Sequence, residues 1–303
     1  MAFFNNLKYQ YKMASMPMKL VYLNIAIFLL LRIVGVICFF IGYDPMIFLH
    51  WIELPSSIET LIHMPWTLLT YMVAHYDVLH ILFNMLVLYW FGTMFLDFFT
   101  PKHFVGLYIL GGLGGGILYL LAYMLPTLTH THTWLIGASA SVMAIVIGIA
   151  VKAPHYKINL LFLGPISLKW IAIAYVIIDI LSITGNNMGG HIAHLGGAIT
   201  GAVFTILINK GIDITHPINW AIDQLINIYE SIENASLKNK IKNNKQSKNT
   251  TNASSHCKQQ SSDTISQEDE VALDIILDKI KKSGYASLTE EEKRRLFQVS
   301  KNK

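Results

Sequence analysis

The chain has 303 residues, of which 53% are hydrophobic and only 14% charged, against roughly 25% charged in soluble domains. Its net charge of +4 falls on loops and tail, so nothing marks it as a nucleic-acid binder. The two cysteines, Cys38 in an apolar run and Cys257 in a polar stretch, offer neither a disulfide framework nor a metal site. Most charges lie before residue 20 or after residue 209. The stretch between them reads as a multi-pass membrane domain, and the remainder as a soluble tail. No small-residue cleavage site follows a short apolar core near the start, so a removable signal peptide is not expected.

Residues 1–19 are mixed and basic, with Lys8, Lys12 and Lys19. Residues 20–41 form a first helix long enough to span about 30 Å of hydrocarbon. Arg32 lies inside it and is expected to pair structurally or to snorkel. Residues 42–65 carry Asp44, Glu53 and Glu59 but no Lys or Arg, and Trp51, Pro55, Pro65 and Trp66 interrupt the run. Short helices at the membrane surface are expected there. A second helix, from near residue 68 to 96, holds His75, His80 and Asn84; the last two are four apart and share a face.

A third helix, 104–125, contains Gly106, Gly111, Gly112, Gly114, Gly115 and Gly116. These follow no strand, so they predict close helix packing rather than a phosphate loop. A fourth, 134–151, carries Gly137-Ala138-Ser139-Ala140-Ser141 near one end. A fifth, 166–183, carries Lys169 and Asp179. A sixth, 190–208, carries His191, His194, Gly196, Gly197 and Gly201.

Topology follows from the basic residues. Lys8, Lys12, Lys19, Lys102, Lys152, Lys157 and Lys210 fall on one side of a six-span count, and the opposite loops lack Lys and Arg. Both termini are then cytoplasmic. His80, Asn84, Ser139 and His194 all come to lie within roughly 10 Å of the outer boundary. Polar groups at that depth are costly unless they meet. Their meeting has a chemical reading: Ser139 attacks a carbonyl, and His194 takes its proton and returns it to the leaving amine. His80, the Asn84 amide and the Ser139 backbone N–H supply oxyanion donors. No carboxylate on the second, fourth or sixth helix lies at the depth of His194, so the expectation is a dyad rather than a triad.

At these residues the chain resembles the rhomboid family of intramembrane serine proteases. The resemblance spans about residues 20–209. It rests on Gly137-Ala-Ser139, on Ala193-His194-Leu-Gly-Gly197 with Gly201, on His75, His80 and Asn84, and on Trp66. It implies an all-α polytopic bundle of six transmembrane helices with a soluble tail. It also implies a Ser139 nucleophile, a His194 base, an oxyanion site with His80 and Asn84, no cofactor, and single-span membrane proteins as substrates. The implied setting is a membrane, taken as a bacterial inner membrane, with the active site near the extracytoplasmic side. Ala140 stands where the family often has Gly, Thr67 replaces the arginine that follows the loop tryptophan, Met143 replaces an aromatic residue, and Asp97 replaces a glutamate.

Rival readings use the same residues. His191, three before His194, competes as the base. A multi-pass metal transporter would use His75, His80, His191 and His194 as ligands. A third reading is a proteolytically inactive relative that binds membrane proteins. Four regions are expected: a cytoplasmic segment 1–19, the membrane domain 20–210, an amphipathic segment and disordered linker 211–267, and a small helical hairpin 268–303 with a Thr289–Glu292 capping box. The partner of the hairpin and the natural substrate are not legible.

Overall fold

The computed structural model describes residues 2–128, 131–160 and 164–232, with scattered positions between 276 and 296. The chain divides into two compact units, Met1–Glu233 and Asn234–Lys303.

The first unit is built from helices. α1 (Ala2–Met13) is followed by α2 (Met16–Phe40), whose start Pro17 suits because its missing N–H would be unpaired there in any case. The first long helix therefore begins four residues before its expected start. Leu29, Leu30 and Phe39 point outward from α2, as a lipid-facing helix requires. Arg32 sits over the Tyr76 ring, 4.9 Å from its centroid, which is the expected structural pairing. The long first loop holds short helices α3 (Met46–Leu49), α4 (Ile58–His63) and α5 (Thr67–Thr70), plus the two-residue strand β1 (Leu54–Pro55).

α6 (Val78–Phe95) starts about ten residues later than the sequence suggests. Residues 67–73 form α5 and a 3-10 turn, and Asp77 caps α6 by accepting from the His80 N–H at 2.8 Å. α7 (Pro101–Tyr123) is capped by Thr100. The fourth expected helix also starts late. Trp134–Leu135 form β2, paired antiparallel with β1, and α8 runs only over Ser139–Lys152. Irregular backbone is tolerated inside a membrane domain where protein shields it; Leu135, Gly137 and Ala138 are all buried.

After α8 comes an unforeseen antiparallel pair, β3 (Lys157–Leu160) with β4 (Gly164–Ser167), which delays α9 to Leu168–Ser182. α10 (Met188–Ile208) and α11 (216–232) follow. Six helices thus follow the six expected segments. Four of them, α2, α6, α7 and α10, are long and apolar enough to cross a membrane. α8, of 14 residues, spans only about 21 Å.

α7, α8 and α10 form the centre. Gly111 of α7 faces Ala144, Gly115 faces Ala140 and the Ala193 carbonyl, and Gly114 faces Thr200, so the glycine run does serve close packing. Buried tyrosines stitch the interior. Tyr71 donates to the Gly112 carbonyl at 2.6 Å and Tyr108 to the Met72 carbonyl at 2.7 Å. Phe95, Phe99, Phe104 and Phe204 pack together where α6, α7 and α10 converge.

In the second unit, Thr289 and Glu292 make the expected capping box. The Thr289 N–H donates to Glu292 Oε2 at 2.7 Å, and the Glu292 N–H to Thr289 Oγ1 at 3.4 Å. Lys279 donates to both oxygens of Glu292 at 2.8 Å. The linker expected over 238–267 lies outside the described residues.

Candidate active site

Two glycines bring α8 and α10 together. A Cβ on Gly197 would run into the Ala140 carbonyl, and one on Gly201 into the Ala144 carbonyl. Both contacts advance by four residues, so the helices run parallel and in register. Ser139 is the first residue of α8, one before Ala140, and is half-buried. His194 lies about one turn before Gly197 and is also half-buried. His194 thus stands on the part of α10 that lies beside the start of α8, where Ser139 is found. Among the described residues no hydrogen bond joins the two; in resting sites such contacts are commonly long and tighten on binding.

His194 is held from its other side. Its Nδ1 lies 2.8 Å from Oδ1 of Asp179, and so does Nδ1 of His191. The imidazoles stand edge to face, 5.8 Å apart. Asp179 is only 4% exposed, and its Oδ2 is buried without a partner among the described residues. The expectation of a Ser–His pair without a carboxylate is therefore corrected: Asp179 reaches His194 not from the second, fourth or sixth helix but from α9. That helix runs the opposite way, so a residue near its end lies level with residues near the start of α10. Helix direction was the signal that could have found Asp179.

His80 occupies the first turn of α6 and lies against Gly137, where a Cβ would sit 2.6 Å from its Cε1. Gly137 also has φ +126°, a region that side chains rarely adopt. Its N–H donates to the Tyr71 carbonyl at 3.0 Å. The buried His75 accepts from the Ala138 N–H through Nε2 at 3.3 Å, and its ring meets that of His80 edge-on at 5.2 Å. His75 thus fixes the segment just before Ser139. Asn84 is buried, with its amide donating at 3.0 Å to the His80 carbonyl of its own helix. The structure therefore brings His80 and His75 against Gly137 and Ala138, just before Ser139, ties His194 to Asp179 and His191, and turns the Asn84 amide back on its own helix.

A metal ion has one candidate seat among the described residues. Asp179, His191 and His194 offer ligand atoms within 4.8 Å of one another. His75 and His80 are not part of that group, so the four-histidine ligand set is not assembled as the transporter reading requires.

Residues 63–211 match the family described as the Rhomboid domain. This chain carries a rhomboid domain. Residues 264–302 match a family of unknown function (DUF6576). Over 157 residues the chain is 36% identical to RHOMBOID-like protein 12, mitochondrial, of Arabidopsis thaliana, covering 48% of this chain and 47% of that protein. Over 135 residues it is 33% identical to Presenilin-associated rhomboid-like protein A, mitochondrial, of Danio rerio, covering 42% of this chain and 33% of that protein. The chain thus spans half or less of the length of these curated relatives. Both are mitochondrial, so they lend no support to a bacterial inner membrane.

Two rhomboid departures acquire a physical account. The Ala140 methyl fills the notch left by the missing side chain of Gly115, so Ala is accommodated where Gly is frequent. Trp66 stacks on Trp51 at 5.9 Å and donates to its carbonyl at 2.8 Å, while the neighbouring Thr67 is fully buried and donates to the Met64 carbonyl at 2.7 Å. The first loop is thereby ordered without an arginine at position 67.

Proposed function

We propose that this rhomboid-domain protein is an intramembrane serine endopeptidase that cuts single-span membrane proteins in or near their membrane segment. The observation that supports the reading is the glycine contact of α8 and α10, which sets the start of α8, where Ser139 stands, beside the part of α10 that carries His194. Ser139 Oγ attacks the scissile carbonyl and its proton passes to Nε2 of His194. The same proton then goes to the departing amine, and water repeats the cycle on the acyl-enzyme.

The oxyanion develops beside the start of α8. Among the described residues no side chain caps that helix, so its first backbone N–H groups, including that of Ser139, remain for an anion. His80 adds a donor from α6, and Asn84 adds another once its amide leaves the His80 carbonyl. Six spans put both termini on the basic, cytoplasmic side and the site beneath the opposite face.

The test uses purified wild type and Ser139→Ala with a generic single-span substrate in detergent. Cleavage is expected to fall roughly 10⁴-fold or more in the variant, and a serine-directed phosphonate should label only the wild type. A Ser139→Ala protein that cuts at the wild-type rate would sink the proposal. A substrate span with small or helix-breaking residues near the outer boundary should be cut faster than a poly-Leu span, because a stable helix occupies its own carbonyls.

The Asp179, His191 and His194 group favours a second reading, in which a bound metal ion is essential. EDTA is expected to leave cleavage unchanged. Loss of activity that zinc restores would favour the metal instead.

A further inference from the structure

Asp179 is an expensive residue where it stands. An ionised carboxylate buried in a membrane domain must be matched by hydrogen bonds or charge, and an apolar side chain would have packed α9 more cheaply. Its Oδ1 takes two hydrogen bonds of 2.8 Å, both from imidazole Nδ1 atoms, while Oδ2 is left without a partner among the described residues. A carboxylate only accepts, so each Nδ1 must carry the hydrogen. In a neutral imidazole that leaves Nε2 with the lone pair. For His194 this is the tautomer a base facing Ser139 requires.

We propose that Asp179 is a positioning residue that converts the Ser139–His194 pair into a Ser–His–Asp relay, with His191 as a second ligand that steadies the carboxylate. The inference rests on the serine-protease reading above. Asp179 fixes the ring and its tautomer, and stabilises the imidazolium formed when Nε2 takes the Ser139 proton. It stays ionised throughout; the proton moves from Ser139 Oγ to His194 Nε2 and on to the leaving amine. The titratable groups around His194 are Asp179 on α9, with Tyr175 one turn before it, His191 on its own helix, and His80 on α6.

Full-length wild type and Asp179→Asn are compared in the single-span substrate assay. The variant is expected to lose about 10²–10⁴-fold in kcat with KM changed less than about threefold. Asp179→Glu, which keeps a carboxylate, is expected to recover part of the lost kcat. A wild-type kcat in Asp179→Asn, or a loss that falls on KM rather than kcat, would overturn the proposal.

Should Asp179→Asn fail to fold, 15N-histidine NMR of the wild type decides. His194, assigned by its loss in His194→Gln, is expected to be protonated on Nδ1 and free on Nε2; the opposite neutral tautomer would refute the relay. Ser139→Ala separates the two levels. If it still cleaves, the protease reading falls, while the tautomer spectrum judges the Asp179 hydrogen bond independently.

Discussion

Ser141 is two residues beyond Ser139, and the two serines meet opposite conditions. Ser141 is 1% exposed and its hydroxyl has no hydrogen-bond partner among the described residues. Such a group costs about 1–3 kcal/mol. Ser141→Ala is therefore expected to raise the melting temperature in detergent by a few degrees and to leave cleavage intact; a fall in stability would show that the hydroxyl is paired. At the next turn of α10, His194→Ala should abolish cleavage, whereas His191→Ala should cost less than about tenfold in the same assay, because Asp179 keeps its bond to His194. The reverse order would make His191 the base. At this scale the sequence disclosed residues whose neighbours betray them: Ser139 stands among Gly and Ala, and His194 before a glycine pair. Asp179 has no such signature. Its neighbours are Ile178 and Ile180, and its role becomes visible only when the direction of α9 is drawn.

Among the elements, the junction of α8 and α10 carries the most consequence. Gly197 packs on a backbone carbonyl, which cannot move aside as a flexible side chain could. Gly197→Val is expected to destabilise the domain by about 1–3 kcal/mol or more and to reduce cleavage as α10 is pushed away from Ser139. Thermal unfolding and cleavage measured together check this, and unchanged values in both would contradict the packing.

The elements before Ser139 were less legible than the helices themselves. An apolar run cannot distinguish a membrane helix from a short buried strand followed by a late helix start. The pairing of Trp134–Leu135 with Leu54–Pro55 spans eighty residues and leaves no local pattern. α11 shows a further device. Asp213 accepts from the Thr215 N–H at 2.8 Å and from its hydroxyl at 2.6 Å, with His103 Nε2 at 3.3 Å. Burial pushes the Asp213 carboxyl up, but these hydrogen bonds and the His103 charge outweigh it and hold the carboxyl below the ordinary value of 3.8. A lowered carboxyl contributes stability above its unfolded value that is lost as pH falls through its folded one. Asp213→Asn should therefore melt lower than wild type at pH 7, and the gap should close on acidification below 3.8. A gap that widens in acid would reverse the sign.

On the scale of the molecule, the membrane unit and the C-terminal unit are separate compact bodies. The capping box of the second was legible because it is a four-residue pattern with a local cause; the natural partner of that unit was not, because nothing in its composition selects one. Every residue proposed for catalysis belongs to the first unit. Removing residues 238–303 is accordingly expected to leave proteolysis intact in detergent, with loss of activity despite normal membrane insertion as the opposing result. The first unit holds its own long-range fastening. β1 grips β2, the Thr133 N–H donates to Ser56 Oγ at 3.1 Å, and His50 stacks on Trp134 at 4.1 Å. The chain runs from that fastening into Gly137, Ala138 and Ser139 in a handful of residues. The first loop thus works as a bracket for Ser139: a cut or a flexible insertion between Trp51 and Ser57 would slacken the serine's seat while every residue proposed for catalysis stayed chemically unaltered.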